Sequence, residues 1–293
     1  MLKIKGCGTA LITPFTTSYQ VDYEALKLLV KRQVEAGIDF LVPLGTTAET
    51  PCLEEEEKIR VLTVVNETLE GKIPVVAGVG SNCTKAVVKN IELLGKYGAD
   101  AFLVVVPYYN KPTQRGLYEH FKAVADSTDK PVVLYNVPGR TGLNMTAETT
   151  LKLAETVNIV AVKEASGNMD QVFEIIRNSP EGFVTLSGND DNTFEMMSAG
   201  GAGVISVASN IAPELLVRLT RLLEEKRFDQ AGDLNRRLMP LFKNCFVESN
   251  PIPVKGGLYC MGLISNVLRL PLTAALPQTL DIMKSTIENL KTI

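Results

Sequence analysis

The sequence is poor in the residues that build metal centres and disulfide frameworks. It contains a single histidine, His120, and five scattered cysteines with no C-x-x-C spacing. It therefore indicates neither a zinc site nor a set of disulfides. We interpret the cysteines as reduced thiols that mostly fill the core, and His120, which lies in a helical pattern, as a packed or exposed helical residue. We expect neither a metal nor a cofactor.

Long apolar runs and a large charge of one sign are also absent. No stretch approaches the roughly 18 apolar residues of a membrane-spanning helix. The N-terminal "MLKIKGCGTALITPF" reaches Gly, Thr and Pro before any apolar segment of signal-peptide length. The 293 residues carry a formal net charge of -3, with 45% hydrophobic residues, which is typical of a soluble globular protein. Neither a nucleic acid nor a membrane is indicated as a partner, and a cytoplasmic location is the expectation.

Short apolar runs recur along the chain, and amphipathic stretches with helical spacing separate them. The runs are "GTALITPF", "FLVPLGTT", "IPVVAGVG", "AFLVVVPYY", "PVVLYNVP", "IVAVKEAS", "FVTLSGND" and "GVISVASN". Strands that are apolar on both faces and return through a helix are typical of a parallel sheet. Eight such units predict a (β/α)8 TIM barrel, in the α/β class. The alternative, a doubly wound open sheet, lacks a Gly-rich dinucleotide fingerprint after its first strand.

After about residue 212 the strand signals stop. The stretches "PELLVRLTRLLEEKRFDQAGDLNRRLMPLFKNCF" and "LPQTLDIMKSTIENLKTI" have helical patterns. One of these helices is the eighth of the barrel, and the others form a C-terminal helical appendix packed on the barrel or on another subunit. We therefore assign residues 1–225 to the barrel and residues 226–293 to the C-terminal helical region.

Lys163 is the least expected residue of the sixth apolar run, "IVAVKEASG". Burial disfavours a charged amine and lowers its pKa toward the roughly 7 to 8 that suits attack on a carbonyl, with a Schiff base as the product. Two other interpretations stay open: a lysine paired with a buried carboxylate, or one whose ammonium reaches water. Glu164 is a poor partner because adjacent strand residues point to opposite faces.

Further polar side chains follow the strands at the face where such barrels carry their chemistry. They are Thr46, Thr47, Tyr108, Tyr109, Asn110, Tyr135 and Arg140. Gly188 follows the seventh strand at the same face. Thr and Tyr hydroxyls can relay the protons that imine formation requires without a histidine. Taken singly, the tyrosines are equally explained as caps of the core, and the threonines as helix N-caps.

Several motifs together carry a resemblance to a known family. "GTTAE", "PYYNKPTQRGLYEHF", "YNVPGRTG", "VAVKEASG", "LSGND" and "GVISVASN" occur in this order and spacing. Over essentially its whole length the chain resembles the pyruvate-dependent class I aldolases, the family of dihydrodipicolinate synthases and N-acetylneuraminate lyases.

The resemblance implies a role for each matching residue. Lys163 would form the Schiff base with pyruvate, Tyr135 would donate and accept protons above it, and Thr46 and Tyr109 would complete the relay. In this family the second tyrosine of "PYY" comes from the neighbouring subunit, so Tyr109 implies at least a dimer, and the family's tetramer is the expectation.

The remaining matches concern substrate binding. Thr47 and the backbone at Ile205 would hold the pyruvate carboxylate, and Gly188 would leave room beside the imine. Arg140, directly after "VPG", and the full "PYYNKPTQ" string are similar to the synthase branch. They imply aspartate semialdehyde as second substrate, bound by the planar guanidinium, and a place in diaminopimelate and lysine biosynthesis.

Three other functions are weighed against this one. The first is a sister aldolase, either an N-acetylneuraminate lyase or a keto-deoxy-sugar-acid aldolase. The second is a phosphate-handling barrel, suggested by "AGGAGVIS", although a helix end leading into a strand explains those glycines better. The third is a ligand-binding barrel without catalysis, which would need the pocket but not the hydroxyl relay.

The chain departs from the family at two places. Ala48 replaces the glycine of "GTTGE", which would carry strain if the position needed a positive φ, and we expect it to be tolerated. Family members inhibited by lysine have two histidines and a glutamate at the subunit interface, where this chain has Glu55, Lys58 and Ala86, although Asn82 and Tyr108 are retained. We therefore expect weak or absent feedback inhibition by lysine.

Overall fold

Eight parallel strands form the centre of the molecule. The computed structural model describes residues 4–293. Its strands are β1 (Gly6–Ala10), β2 (Phe40–Val42), β3 (Val76–Gly78), β4 (Ala101–Val105), β5 (Val132–Asn136), β6 (Ile159–Glu164), β7 (Val184–Ser187) and β8 (Gly203–Ser206). They follow one another in the order β2-β1-β8-β7-β6-β5-β4-β3, and all the strand pairs are parallel.

The ring of strands closes between β2 and β3. Leu41 N donates a hydrogen bond to Pro74 O at 3.0 Å, and Gly78 N donates to Pro43 O at the same distance. Leu41 also forms a parallel bridge with Val75. These contacts leave neither β2 nor β3 as an open edge, so the predicted (β/α)8 barrel is confirmed.

The helices alternate with the strands. They are α1 (Tyr23–Glu35), α2 (Glu55–Leu69), α3 (Thr84–Leu94), α4 (Gln114–Asp126), α5 (Pro138–Thr141), α6 (Ala147–Ala154), α7 (Met169–Asn178), α8 (Thr193–Ser198) and α9 (Pro213–Glu224). Their buried positions recur at three- and four-residue spacing, as in α1, where Leu26, Leu29, Val30 and Gln33 face the barrel. Among residues 4–293, no helix has both the length and the apolar character needed to cross a membrane.

The glycines of "AGGAGVIS" have a packing role at the start of β8. Gly203 has a φ of 154°, and a Cβ there would lie 2.0 Å from Gly6 O on the neighbouring β1. Only glycine therefore allows these two strands to approach each other so closely. This geometry accounts for the motif without a phosphate.

Three more helices follow the barrel: α10 (Phe228–Asn244), α11 (Ile252–Cys260) and α12 (Pro277–Leu290). Leu238 of α10 and Leu258 of α11 belong to the same hydrophobic core as the barrel strands, so the predicted C-terminal helices are present and pack on the barrel. The sequence pattern predicts no helix at α11, where "IPVKGGLYC" contains a proline and two glycines. The boundary at residue 225 stays a prediction.

Candidate active site

Lys163 and Tyr135 are direct neighbours on adjacent strands. The parallel register of β5 and β6 pairs Tyr135 with Lys163 and Asn136 with Glu164. Because side chains alternate along a strand, the first pair shares one face and the second pair the other. Lys163 Nζ lies 4.4 Å from the centroid of the Tyr135 ring. Lys163 thus packs against a phenol, and it forms no ion pair with a carboxylate within the described residues.

The environment of Lys163 favours its neutral amine. Burial lowers the pKa of Lys163 from its ordinary 10.5 to about 8, while the charge of Asp190 raises it and that of Arg140 lowers it. At pH 7 about a tenth of Lys163 is then a free amine, roughly 300-fold more than for an exposed lysine. A free amine is the form that attacks a carbonyl carbon.

Tyr135 is held as a protonated phenol beside that amine. Burial raises the pKa of Tyr135, and the charge of Arg140 and a hydrogen bond with Thr46 lower it. Thr46 begins the short 3-10 turn Thr46–Ala48, which directly follows Gly45 in the loop after β2. The Tyr135 phenol therefore adjoins both the Thr46 hydroxyl and the Lys163 amine.

Ala48 fits this turn without strain. It is buried, and it is not among the residues with a positive φ. The left-handed positions lie on either side of the turn, at Leu44 with φ 59° and at Glu49 with φ 54°. The expected tolerance of Ala48 agrees with this geometry.

Asn250, for which no sequence motif predicts a role, connects Thr47 and Arg140. The Asn250 side chain donates from Nδ2 to Thr47 Oγ1 at 3.0 Å, and Arg140 donates from Nη2 to the Asn250 carbonyl at 3.3 Å. Thr46, Tyr135, Arg140 and Asn250 line one cavity of about 530 Å³. The cavity has the size of a small-molecule site.

Gly188, another predicted substrate-binding residue, lies beside Lys163. A Cβ on Gly188 would lie 2.6 Å from Ala165 Cβ, 3.1 Å from Glu164 O and 3.2 Å from Lys163 Cε, so a larger residue would clash with Ala165 and crowd the lysine. Ile205 is fully buried on β8, where it pairs with Gly8 of β1.

Two predicted catalytic residues are not part of the cavity lining: Lys163, which is buried against Tyr135, and Tyr109. Tyr109 is 89% exposed and has a φ of 72°, whereas its neighbour Tyr108 lines the cavity. A largely exposed tyrosine in a left-handed conformation is unusual for a structural residue.

Asp190 is a buried carboxylate that the motif "LSGND" contains but to which no role was given. It accepts hydrogen bonds from Val207 N and Ala208 N, both at 3.0 Å, and from the Ser206 hydroxyl. Burial raises the pKa of Asp190, and these donors and the Lys163 charge lower it. Asp190 thus opposes the effect of burial on Lys163.

Glu164 points away from Lys163, as the alternation of strand residues predicted. Its carboxylate accepts from Ser166 N at 2.7 Å, from Gln171 Nε2 at 3.2 Å and from Asn136 Nδ2 at 3.1 Å. His120 also lies apart from the cavity, buried in α4 with Nδ1 2.9 Å from Thr84 Oγ1. Within the part of the chain that the structure describes, no three His, Cys, Asp or Glu side chains are grouped as metal ligands.

Comparison with known proteins decides the family. Residues 3–290 match the Dihydrodipicolinate synthetase family. The chain belongs to the dihydrodipicolinate synthetase family. The resemblance indicated by the motifs is therefore confirmed, and the match covers both the barrel and the C-terminal helices.

Relatives in this family are similar along their whole length. The 4-hydroxy-tetrahydrodipicolinate synthase of Phocaeicola vulgatus is 50% identical over 290 residues, which are 99% of this chain and 98% of that protein. The crystal structure of dihydrodipicolinate synthase from Thermotoga maritima has a TM-score of 0.97 and 42% identity, with 99% of each chain covered. A monomeric dihydrodipicolinate synthase variant has a TM-score of 0.96 at 42% identity, covering 99% of this chain and 97% of that one.

Proposed function

We propose that the chain is a 4-hydroxy-tetrahydrodipicolinate synthase, which condenses pyruvate, held as an imine on Lys163, with L-aspartate 4-semialdehyde. The observation that carries the proposal is the buried Lys163 amine, with its pKa lowered to about 8, beside the Tyr135 phenol. The full-length relative from Phocaeicola vulgatus that carries this enzyme's name supports the choice within the family. The enzyme is then a lyase of the class I aldolase type, in diaminopimelate and lysine biosynthesis.

The reaction begins with attack by the neutral Lys163 Nζ on the keto carbon of pyruvate. The resulting carbinolamine loses water as its hydroxyl takes a proton, which the Tyr135 phenol beside the amine would donate. Loss of a proton from the pyruvate methyl group gives an enamine, whose carbon attacks the aldehyde carbon of the second substrate. The new alkoxide takes a proton through the same hydroxyls. The amino group of the condensed aspartate semialdehyde then displaces Lys163 Nζ at the imine carbon, which closes the ring and frees the lysine. No metal or cofactor enters these steps.

Two carboxylates have to be held during this sequence. Thr47, whose hydroxyl oxygen already accepts from Asn250, would bind the pyruvate carboxylate together with the backbone at Ile205. Arg140 lines the mouth of the cavity and would bind the carboxylate of aspartate semialdehyde with a planar pair of donors. Gly188 would keep space open beside the imine.

The proposal includes an oligomer in the cytoplasm. Tyr109 is 89% exposed in its own chain, so it would complete the relay in the site of a second copy. At least a dimer follows from this role, and a tetramer is the expected assembly. Because a monomeric variant exists among the similar structures, sedimentation equilibrium of the purified protein is needed to measure the assembly.

Reduction with borohydride tests the chemistry. The protein is incubated with pyruvate and sodium borohydride, and intact mass and peptide mapping follow, with Lys163→Ala as control. We expect one reduced pyruvate adduct on Lys163 and none in the control. A folded wild-type protein that forms no adduct would exclude the synthase function and favour a binding protein. If the adduct forms, turnover with aspartate semialdehyde and with sugar aldehydes separates the synthase from its sister aldolases.

A further inference from the structure

A buried carboxylate lies directly after the turn that carries Thr46 and Thr47. Glu49 is 2% exposed, and its backbone adopts the left-handed conformation with a φ of 54°. Glu49 N donates to Thr46 O at 3.1 Å, so the residue ends the Thr46–Ala48 turn. Non-glycine residues rarely take this conformation unless their surroundings hold them there. What holds Glu49 therefore also fixes the end of the turn.

The partner of Glu49 is a second buried lysine, which comes from the C-terminal helices. Lys255 of α11 donates from Nζ to Glu49 Oε1 at 2.6 Å and to Thr13 O at 3.0 Å. Both charged side chains are completely buried. The Lys255 ammonium also lies 4.2 Å from the centroid of the Phe15 ring. This is the one ion pair among the described residues in which both side chains are excluded from water.

The same C-terminal segment contacts the turn at further points. Arg269 N donates to Glu49 Oε2 at 3.0 Å, and the Arg269 guanidinium donates to Cys52 O at 2.8 Å. At the other side of the turn, Asn250 Nδ2 donates to Thr47 Oγ1 at 3.0 Å. Residues 250–269 thus hold the Thr46–Ala48 turn and the residues after it, as far as Cys52, by side-chain and backbone hydrogen bonds.

We propose that the Glu49–Lys255 ion pair is a positioning device, through which α11 fixes the Thr46–Thr47 turn in the geometry that proton relay and pyruvate binding require. Stability alone is a poor explanation of a fully buried ion pair, because apolar side chains of similar volume often stabilise a fold equally well. Small displacements of groups that contact substrate, in contrast, have large effects on rate. The inference rests on the proposed synthase function, in which Thr46 relays protons and Thr47 holds the pyruvate carboxylate.

The test uses the full-length protein with Lys255→Met, Glu49→Gln and the double variant that carries both changes. The double variant removes both charges and therefore leaves no unpaired charge in the core. Lys130→Met is the matched control, because Lys130 also holds two backbone carbonyls, Gly95 O at 3.0 Å and Ala99 O at 2.6 Å, but does so before β5 at the opposite end of the barrel. Unfolding midpoint, kcat and the KM of each substrate are measured for all variants.

We expect the folded variants at Glu49 and Lys255 to lose roughly 10- to 100-fold in kcat and to have a raised KM for pyruvate. The KM for aspartate semialdehyde, which Arg140 would bind, stays near the wild-type value, and a pyruvate adduct on Lys163 still forms at saturating pyruvate. Lys130→Met changes the unfolding midpoint without this kinetic pattern. A folded double variant with wild-type kcat and pyruvate KM would overturn the proposal. Failure of the wild-type protein to trap pyruvate would instead contradict the synthase function itself.

Discussion

At the scale of single residues, the lowered pKa of Lys163 has a cost in stability. The lowered pKa of Lys163 results mainly from burial, so the folded state binds the proton less tightly than the unfolded chain does. The same burial that supplies free amine for attack therefore destabilises the folded protein wherever Lys163 is protonated. A substitution that removes the Lys163 charge separates its effect on stability from its supply of a free amine.

Lys163→Met is expected to raise the free energy of unfolding at pH 7 and to abolish the pyruvate adduct. The pKa of Lys163 is about 8 when folded and 10.5 in the unfolded chain. The wild-type protein thus bears the full cost, at most ~3 kcal/mol, below pH 8, and the cost disappears as the pH rises to 10.5. Urea denaturation without pyruvate should show a larger gain for the variant at pH 7 than at pH 10. An equal difference at both pH values would contradict the assigned cause.

Gly188→Ala is expected to impair imine formation while the barrel still folds. The added methyl group would lie 2.6 Å from Ala165 Cβ and 3.2 Å from Lys163 Cε, so the segment of Ala165 has to shift and the lysine side chain is crowded. We expect a loss of about 1–3 kcal/mol in stability and slow borohydride trapping of pyruvate. Gly232→Ala in α10 is the control, because the atom nearest to the added methyl group would be Phe194 Cε2 at 3.7 Å. Wild-type trapping by Gly188→Ala would remove the proposed need for space beside the imine.

At the scale of elements, sequence patterns predicted the strands and helices that depend on residues close together in the chain. The eight strands were visible because each is an apolar run between turn residues, and Lys163 stood out because it interrupts one of them. The sequence pattern did not predict helix α11, because its segment "IPVKGGLYC" follows Pro251 and contains a further proline and two glycines. Glu49 and Lys255 are 206 positions apart. Spacing along the chain carries no signal for such a pair, since only the closed barrel brings α11 onto the Thr46 turn.

The helix α4 carries a group that makes the fold sensitive to acid. Burial lowers the pKa of His120 from 6.5 to about 4. The unfolded chain therefore binds a proton between pH 6.5 and pH 4 that the folded protein does not, and stability falls as the pH decreases through this window. We expect His120→Gln to lose less stability than the wild type between pH 7 and pH 4.5 in chemical denaturation. A parallel decline of the two proteins would show that other groups determine the acid sensitivity.

At the scale of the whole molecule, the proposed subunit interface would affect both inhibition by lysine and catalysis. Lys58 and Tyr108 line the cavity, and the Glu55 carboxylate is bound to Lys89 Nζ at 2.7 Å, while Ala86 supplies no charge. An inhibitor ammonium would thus meet Lys58 and no free carboxylate from Glu55. We expect submillimolar lysine to leave the steady-state rate unchanged. Strong inhibition at that concentration would mean that other residues bind lysine here.

Sharing of Tyr109 between subunits can be tested by mixing two inactive variants. Tyr109→Phe retains Lys163 but lacks the relay phenol, and Lys163→Ala retains Tyr109 but lacks the amine. If the phenol acts in the neighbouring site, a hybrid dimer contains one complete site, and random exchange of equal amounts restores about a quarter of the wild-type sites. The measurement is turnover after the two variants are dissociated and reassembled together, with each variant reassembled alone as control. Because Tyr109 is 89% exposed, its removal should leave the unfolding midpoint of the isolated chain nearly unchanged. Hybrids that form without regaining activity would show that Tyr109 serves its own chain or takes no part in the reaction.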